Sequence, residues 1–371
     1  MARRVFLHIG LPKSGTTFIQ TTMWGNRPRL REQGFLYPGS KRLDHYHASQ
    51  VIREGSQAGD GRHAGAWDSL VTALRDWPGD GLVSHEFFSM ATAKQARRAV
   101  AELAPAEVEV VVTVRDYVRQ FPAMWQEALK MNSFDSFDEF MARAWDDDLR
   151  GAWSWDSQDV PAVLRRWSKA VPADRIHVVT LPPPGAPRDL LWERWRTVVG
   201  IDDTGFDMEA TFPNESLGAA QAALLHRVKP AFTGPLLEGP ERHRWVRKYF
   251  GHEVLVPQAG ARFGPRPEHV ERLRERSQEA VRAIESGGYH VVGDLADLVP
   301  GDPTTTQPYP DDVADEELLD VAARAFDRMI QDVRDLTTER DRLRRQLNRS
   351  HPGAGRARLL RRLRRRPEED R

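Results

Sequence analysis

The chain has 371 residues, which predicts two or three structural units, and its 40% of hydrophobic residues excludes wholesale disorder. It contains no cysteine, which excludes a disulfide scaffold, a cysteine-ligated metal site and a thiol nucleophile. Basic and acidic residues number 54 each, so the net charge predicts no specific nucleic-acid partner.

The amino terminus predicts a strand, a tight loop and two helices. A short apolar run, Val5–Ile9, stops at a glycine and is typical of a buried strand. The loop covers residues 10–15, and residues 16–24 suit a helix. A second helix is predicted over residues 28–33, with Gly34 as its stop signal.

Three later apolar runs predict further strands, at residues 81–84, 108–114 and 176–180. Helical stretches separate them, including residues 117–131, where Pro122 must lie in the first turns. This alternation is typical of βαβ units. The sequence therefore predicts an α/β fold with a parallel β-sheet flanked by helices on both faces.

Polar clusters directly follow three of the predicted strands. They are Lys13–Thr17, His85–Glu86 and Arg115–Asp116. Ligands of parallel sheets bind beyond the carboxyl ends of the strands. We therefore expect these clusters to meet in one crevice.

The carboxyl-terminal part predicts a different organisation. We expect an α/β domain over residues 1–300, a proline-rich linker over 301–312, a heptad helix over 313–348 and an arginine-rich tail over 349–371. Apolar positions alternate spacings of three and four over residues 319–347. This stripe suits either a helix packed on its own domain or a coiled coil that makes a homo-oligomer.

The arginine-rich tail is the strongest local concentration of charge. Residues 340–366 contain twelve arginines and one acidic residue, Asp341. Such a segment is either a solvated tail or a contact for an anionic surface, a membrane or a nucleic acid.

The sequence also predicts where the protein resides. The apolar run after the basic residues Arg3 and Arg4 is too short for a signal peptide, and no run reaches about 18 apolar residues. We therefore expect a cytoplasmic protein, and contact of the arginine-rich tail with an anionic surface would place it at the inner face of the membrane.

The loop at residues 10–17 predicts an anion site. It lies between a predicted strand and a predicted helix, where backbone N–H groups and the helix N-terminus favour a phosphate. Its lysine, Lys13, lies inside the loop, whereas a nucleoside-triphosphatase loop has its lysine directly after the second glycine. This position argues against magnesium-assisted triphosphate cleavage and places an ammonium group near the 5′ end of a nucleotide.

Residues 11–18 (Leu-Pro-Lys-Ser-Gly-Thr-Thr-Phe) resemble the 5′-phosphosulfate loop of the sulfotransferases that use 3′-phosphoadenylyl sulfate (PAPS). Residues 110–115 resemble the strand and arginine of that family's 3′-phosphate site. Residues 212–216 (Phe-Pro-Asn-Glu-Ser) are similar to a segment of its bacterial members, and the resemblance spans residues 4–300. The later Gly-rich motif of the cytosolic members is not evident.

One element of the family's 3′-phosphate site differs. The family has a serine on the helix after the arginine, and Pro122 or Ala123 occupies its place here. Arg119 or Gln120 is then the candidate substitute.

The resemblance implies a P-loop-like fold with PAPS as co-substrate, adenosine 3′,5′-bisphosphate (PAP) as product and no metal. Lys13, with the loop residues Ser14, Gly15, Thr16 and Thr17, would hold the 5′ end of the nucleotide.

At the 3′ end, Arg115, supported by Arg119, would bind the 3′-phosphate. The base that activates a hydroxyl or amine acceptor on a carbohydrate, lipid or other metabolite would be Glu86 or His85, with Glu86 preferred.

Other functions fit parts of the sequence. A nucleotide kinase with an atypical loop would need a magnesium carboxylate, for which Asp116 is the candidate. A metal-dependent glycosyltransferase would use the acidic run at residues 146–148. A non-catalytic assembly protein would depend on the heptads and keep only a degenerate nucleotide site.

Overall fold

The sheet has six parallel strands. The computed structural model describes residues 1–54, 63–208, 216–301 and 307–350. The strands are β1 (Arg4–His8), β2 (Phe35–Leu36), β3 (Asp80–Ser84), β4 (Glu107–Val114), β5 (Ile176–Thr180) and β6 (His290–Val292). Their order across the sheet is β2-β3-β1-β4-β5-β6, and each neighbouring pair is parallel. The predicted α/β fold and its four predicted strands are confirmed.

Helices connect the strands and continue after the last one. They are α1 (Thr16–Gly25), α2 (Arg27–Glu32), α3 (Asp44–Glu54), α4 (Ala66–Arg75), α5 (Ala93–Glu102), α6 (Tyr117–Lys130), α7 (Phe137–Trp145), α8 (Trp155–Gln158), α9 (Val160–Trp167), α10 (Leu190–Val199), α11 (Ala219–Val228), α12 (Gly239–Glu241), α13 (Pro267–Ser286) and α14 (Asp315–Ser350). A π-helix, Arg242–Leu255, follows α12 directly.

Side chains of the central strands alternate between two hydrophobic cores, as the pleat of a strand requires. Val5 and Leu7 of β1 pack in the larger core, whereas Phe6 between them packs in the smaller one. The larger core includes residues of α4 to α7, and the smaller one includes residues of α1, α2 and α10. Helices therefore cover both faces of the sheet, as predicted.

The end of the predicted linker packs against α7. Asp311 accepts hydrogen bonds from the first two N–H groups of α7, those of Phe137 (3.2 Å) and Asp138 (2.7 Å). Arg266 pairs with both Asp138 (2.8 Å) and Asp312 (2.9 Å). The polypeptide that leads into α14 is thus joined to the α/β domain.

The heptad helix exists, but its most deeply packed residues lie beside the predicted stripe, of which Ala322 and Met329 are half-buried against the larger core. Leu318, Val321 and Ala325 of α14 are buried, whereas Leu319 and Phe326 of the predicted stripe are 70% and 65% exposed. The arginine-rich tail from residue 351 onwards and residues 212–215 of the family-like segment lie outside the described residues.

Candidate active site

The loop between β1 and α1 has an unusual backbone. Three of its residues have positive φ angles: Gly10 (26°), Lys13 (70°) and Gly15 (83°). The positive φ favours glycine at position 15, and an added Cβ would also lie 2.4 Å from Cδ2 of Leu191, which would have to shift. Lys13 adopts a left-handed conformation that non-glycine residues rarely take.

A buried hydrogen-bond network joins the loop to strands β1 and β4. The Ser14 hydroxyl donates to the Leu11 carbonyl (2.6 Å) and lies 2.7 Å from the Thr113 hydroxyl of β4. Thr113 Oγ1 in turn lies 3.2 Å from Nε2 of His8. Ser14 and Thr113 are both fully buried. The Ser14 side chain, predicted to bind the nucleotide, therefore faces the protein interior and holds the loop in shape.

The start of α1 presents backbone donors to this loop. Its N-cap residue is Gly15, and no side chain among the described residues caps it. The first N–H groups of a helix have no intrahelical partner and carry the positive end of the helix dipole. The Thr17 side chain is exposed here, whereas Thr16 is buried. This end of α1 can thus donate hydrogen bonds to an anion.

Lys13 lies in a group of cations that share one carboxylate. Glu127 Oε2 is 3.6 Å from Nζ of Lys13 and 3.2 Å from Nζ of Lys130, and Arg247 binds the other oxygen of Glu127. Burial opposes ionisation of Glu127, but the cations outweigh it and hold its pKa well below the usual range. We call Lys13, Glu127, Lys130 and Arg247 the Glu127 cluster. Its three cations exceed its single carboxylate, so the cluster can accept a further anion.

Burial also changes the protonation of Lys130. Its side chain is 4% exposed. Burial lowers the pKa of Lys130 from 10.5 to about 8, although Glu127 favours the charged form. The neighbouring His252, 3.4 Å from Lys130, has its pKa lowered to about 4, mainly by burial. His252 is therefore neutral at physiological pH while Lys130 keeps its charge.

Glu86 and His85 lie on the other side of the loop. Glu86 accepts hydrogen bonds from Gln20 (3.0 Å) and from the Thr16 hydroxyl. Burial opposes ionisation of Glu86, but His85 and these hydrogen bonds outweigh it, so the pKa of Glu86 is lowered. Burial lowers the pKa of His85 against the attraction of Glu86. At neutral pH the pair is thus a carboxylate beside a neutral imidazole.

Arg115 lies directly under the loop. Its Nη1 donates to the Lys13 carbonyl (3.3 Å), while its Nε is buried and has no hydrogen-bond partner among the described residues. Burial, with Arg119 and Arg262 nearby, lowers the pKa of Arg115 to about 10, so it remains charged. The residue as a whole is half-buried, so the rest of this charged group can meet a ligand.

The predicted substitutes for the missing serine have protein partners. Arg119 pairs with Asp116 and donates to the Pro182 carbonyl (2.8 Å). Gln120 donates to the Pro12 carbonyl and to Gln158 (2.7 Å). Arg119 therefore contributes charge near Arg115, whereas Gln120 fixes the loop.

Comparisons with known proteins give one distant likeness. The chain matches no protein-family model and no curated protein. A solved structure, the crystal structure of a sulfotransferase from Alicyclobacillus acidocaldarius, is similar with 15% identity and a TM-score of 0.39. The alignment covers 56% of this chain and 85% of that one. At this distance the likeness carries no argument about activity.

The structure brings the three predicted polar clusters together at the carboxyl edge of the sheet. Lys13 contacts Arg115 through its carbonyl, and Thr16 of the same loop contacts Glu86. Asp116, the magnesium candidate of the kinase alternative, is instead the N-cap of α6, where its Oδ1 accepts from the Arg119 N–H (2.9 Å).

Several residues of the site were not predicted. Glu127 and Lys130 lie one helical turn apart on the predicted helix, a spacing common to surface pairs. Arg247 and Arg262 come from a region with weak sequence signals, although Arg262 lies between two glycines at 260 and 264. These residues join the site only because the folded chain brings distant segments together, and no local sequence pattern shows this.

Further searches gave two negative findings. Within the described ranges, no helix combines the length and the apolar composition needed to cross a bilayer. In the same ranges, no group of three or more histidine or acidic side chains is arranged to hold a metal ion.

Proposed function

We propose that this protein is a sulfotransferase that moves a sulfuryl group from PAPS to a hydroxyl or amine acceptor. The observation that carries the proposal is the half-buried Arg115 guanidinium, which stays charged and whose Nη1 donates to the Lys13 carbonyl (3.3 Å). An anionic ligand beside the loop would pair with the accessible part of this guanidinium, since guanidinium and phosphate groups form strong charge-assisted hydrogen bonds.

The charges of the site suit the two anionic ends of PAPS. The helix N-terminus and Lys13 would hold the 5′-phosphosulfate, with the surplus positive charge of the Glu127 cluster beside it. Arg115 would bind the 3′-phosphate, supported by the charges of Arg119 and Arg262, which lie close enough to lower its pKa. Residues of a single chain would therefore supply the positive charge for both ends of the nucleotide.

Lys13 would assist departure of the nucleotide. In the proposed step the acceptor oxygen or nitrogen bonds to sulfur while the bond from sulfur to the bridging phosphate oxygen breaks. Negative charge develops on that oxygen, which leaves as part of PAP. An ammonium group aimed there stabilises the transition state more than the ground state.

The arrangement favours Glu86 over His85 as the base. Nδ1 of His85 accepts a hydrogen bond from the Phe87 N–H (3.1 Å), so the neutral imidazole carries its proton on Nε2. Nε2 then has no lone pair to accept a proton, whereas the Glu86 carboxylate is ionised and can take the proton of the acceptor. The carboxylate that pairs with Lys13 is that of Glu127, not that of Glu86.

Binding of PAP in the absence of magnesium tests the nucleotide site. We expect PAP to raise the thermal unfolding midpoint of the protein, and Arg115→Ala to weaken PAP binding by about 10- to 100-fold because charge-assisted hydrogen bonds are lost. Arg29→Ala removes the same charge from an exposed ion pair with Glu32 and serves as the control. Equal loss in both variants, or stabilisation only by ATP with magnesium, would refute the proposed site.

Transfer of labelled sulfate tests the reaction. The protein is incubated with PAPS labelled in the sulfate and with a metabolite extract, and products are separated by mass spectrometry. A product that gains the mass of a sulfuryl group, made by wild type and not by Lys13→Ala, supports the proposal. PAP binding without any transfer would instead support the non-catalytic alternative.

A further inference from the structure

The helix α14 consists of two parts with different surroundings. Its first part packs on the α/β domain: Tyr249 donates to Asp332 (3.0 Å), and Arg324 donates to Gln258 (3.2 Å). Beyond residue 332 the side chains are exposed up to residue 347, apart from Asp341, which is half-buried. These 15 residues correspond to about 22 Å of helix, at 1.5 Å per residue.

Apolar side chains form a stripe along the free side of this helix. All are between 52% and 70% exposed: Leu319, Phe326, Ile330, Val333, Leu336, Leu343 and Leu347. An isolated helix of this length is marginal in water. A stripe of large apolar residues also lowers solubility unless a partner covers it.

We propose that residues 333–347 of two copies of this chain form a parallel coiled coil, which makes the protein a homodimer. Val333 and Leu347 take heptad position a, and Leu336 and Leu343 take position d, with spacings of three and four between successive seam residues. Residues with this spacing form the contact surface of a two-stranded coiled coil. A second copy of the helix has the same surface and can therefore cover it.

Charges beside the seam favour the parallel orientation. Glu339 takes position g and Arg344 takes position e, five residues later, so each Glu339 lies opposite Arg344 of the second copy in a parallel pair. In an antiparallel pair, position g faces position g. The side chains there are Asp332, Glu339 and Gln346, which offer no opposite charge.

Arg340 occupies one seam position and selects the number of strands. A single polar residue at position a fixes register and oligomeric state at a cost in stability. Arg340 is 52% exposed and pairs with Asp341 at 3.0 Å within its own helix. In a two-stranded coil the guanidinium at this position can still reach water, so its charge is tolerated. In bundles of three or more helices the same position is shielded from water, so the charge disfavours them.

The molar mass in solution tests the proposal. Light scattering after size exclusion should give about twice the chain mass of 42.2 kDa. The double variant Leu336→Glu with Leu343→Glu should be a monomer, with the unfolding midpoint of its α/β domain unchanged because both side chains are exposed in the single chain. If wild type is a monomer at 100 μM, the proposal is wrong. This holds even if the monomer binds vesicles rich in phosphatidylserine, because the helix would then contact a membrane instead of a second copy.

Single cysteines test orientation and register, since the chain has no other cysteine. In a parallel pair in register, Leu343→Cys brings two seam positions within disulfide range, so oxidation should link the dimer. Thr338→Cys, at the outward position f, is the matched control. Equal cross-linking of both variants, or none of Leu343→Cys, overturns the parallel pairing.

Charge exchange tests the proposed ion pair. Glu339→Arg should weaken the dimer at least several-fold, and Arg344→Glu in the same chain should restore it. Failure of the second change to restore the dimer contradicts the predicted pairing.

Discussion

Replacing Lys130 by methionine should stabilise the folded protein. The side chain is 4% exposed, and burial is the main cause that lowers its pKa from 10.5 to about 8. One pKa unit corresponds to about 1.4 kcal/mol, so the ammonium group costs the folded state about 3 kcal/mol at neutral pH. Methionine keeps an unbranched side chain and removes the charge, while Glu127 retains Lys13 and Arg247 as partners.

The advantage of Lys130→Met should depend on pH in a defined direction. Below about pH 8 the lysine is protonated in the folded and the unfolded state, so its full cost is present. Between pH 8 and 10.5 the folded protein loses the proton while the unfolded chain still binds it, so the stability of wild type rises with pH. Above pH 10.5 the lysine is neutral in both states, and the two proteins should be equally stable.

Urea unfolding at pH 7, 8, 9 and 10 measures this difference as a free energy of unfolding. Lys169→Met, at an exposed lysine, should change the stability by less than about 0.5 kcal/mol and serves as the control. A gap that does not vary with pH would refute the reasoning. A Lys130→Met variant that is less stable than wild type by about 3–5 kcal/mol would also refute it. A loss of that size would mean that the ion pair between Lys130 and Glu127 stabilises the folded protein.

Three further predictions concern the loop and the base. Gly15→Ala should lower the thermal unfolding midpoint and abolish PAP stabilisation because of the left-handed backbone and the contact with Leu191, whereas Gly25→Ala, in open space on the same helix, should do neither. Thr113→Val should destabilise the protein by about 1–3 kcal/mol in urea unfolding because it removes a buried hydroxyl, and Thr113→Ser should restore most of the loss. Glu86→Gln should reduce sulfate transfer from PAPS at least 100-fold and leave PAP affinity unchanged. Retained turnover would remove Glu86 from the mechanism.

The central part of the sheet could be predicted because its strands carry strong local signals. β4 is almost entirely β-branched, and β1 belongs to an apolar run, interrupted only by His8, that ends at a glycine. β2 has two residues and β6 three, and both are edge strands. An edge strand pairs on one side and is partly exposed, so its sequence shows neither a long apolar run nor a clear alternation.

The contiguous part of the site could be predicted, and the part assembled from distant segments could not. Lys13 and its neighbours carry a local pattern. Glu127 is separated from Lys13 by more than one hundred residues, and only the packing of α6 against the loop brings the two together. No local pattern distinguishes Glu127 from other acidic residues on predicted helices.

The face of α14 that packs on the domain was also beyond prediction. Apolar residues occur on more than one side of its first turns, including Leu318, Leu319 and Val321. Periodicity alone identifies an apolar side only when the other sides are polar. Tertiary packing decided that Leu318 and Val321 are buried and that Leu319 is exposed.

The hydrogen bonds that join Thr113 to Ser14 and His8 would affect how the proposed anionic ligand binds. These bonds fix the loop between β1 and α1 before a ligand arrives, so the loop loses little conformational freedom on binding. More of the interaction energy then appears as affinity. Encounter is then governed by diffusion and by attraction to the surrounding cations, so the association rate should fall as salt is added. A loop held in one shape would also favour anions whose size matches it.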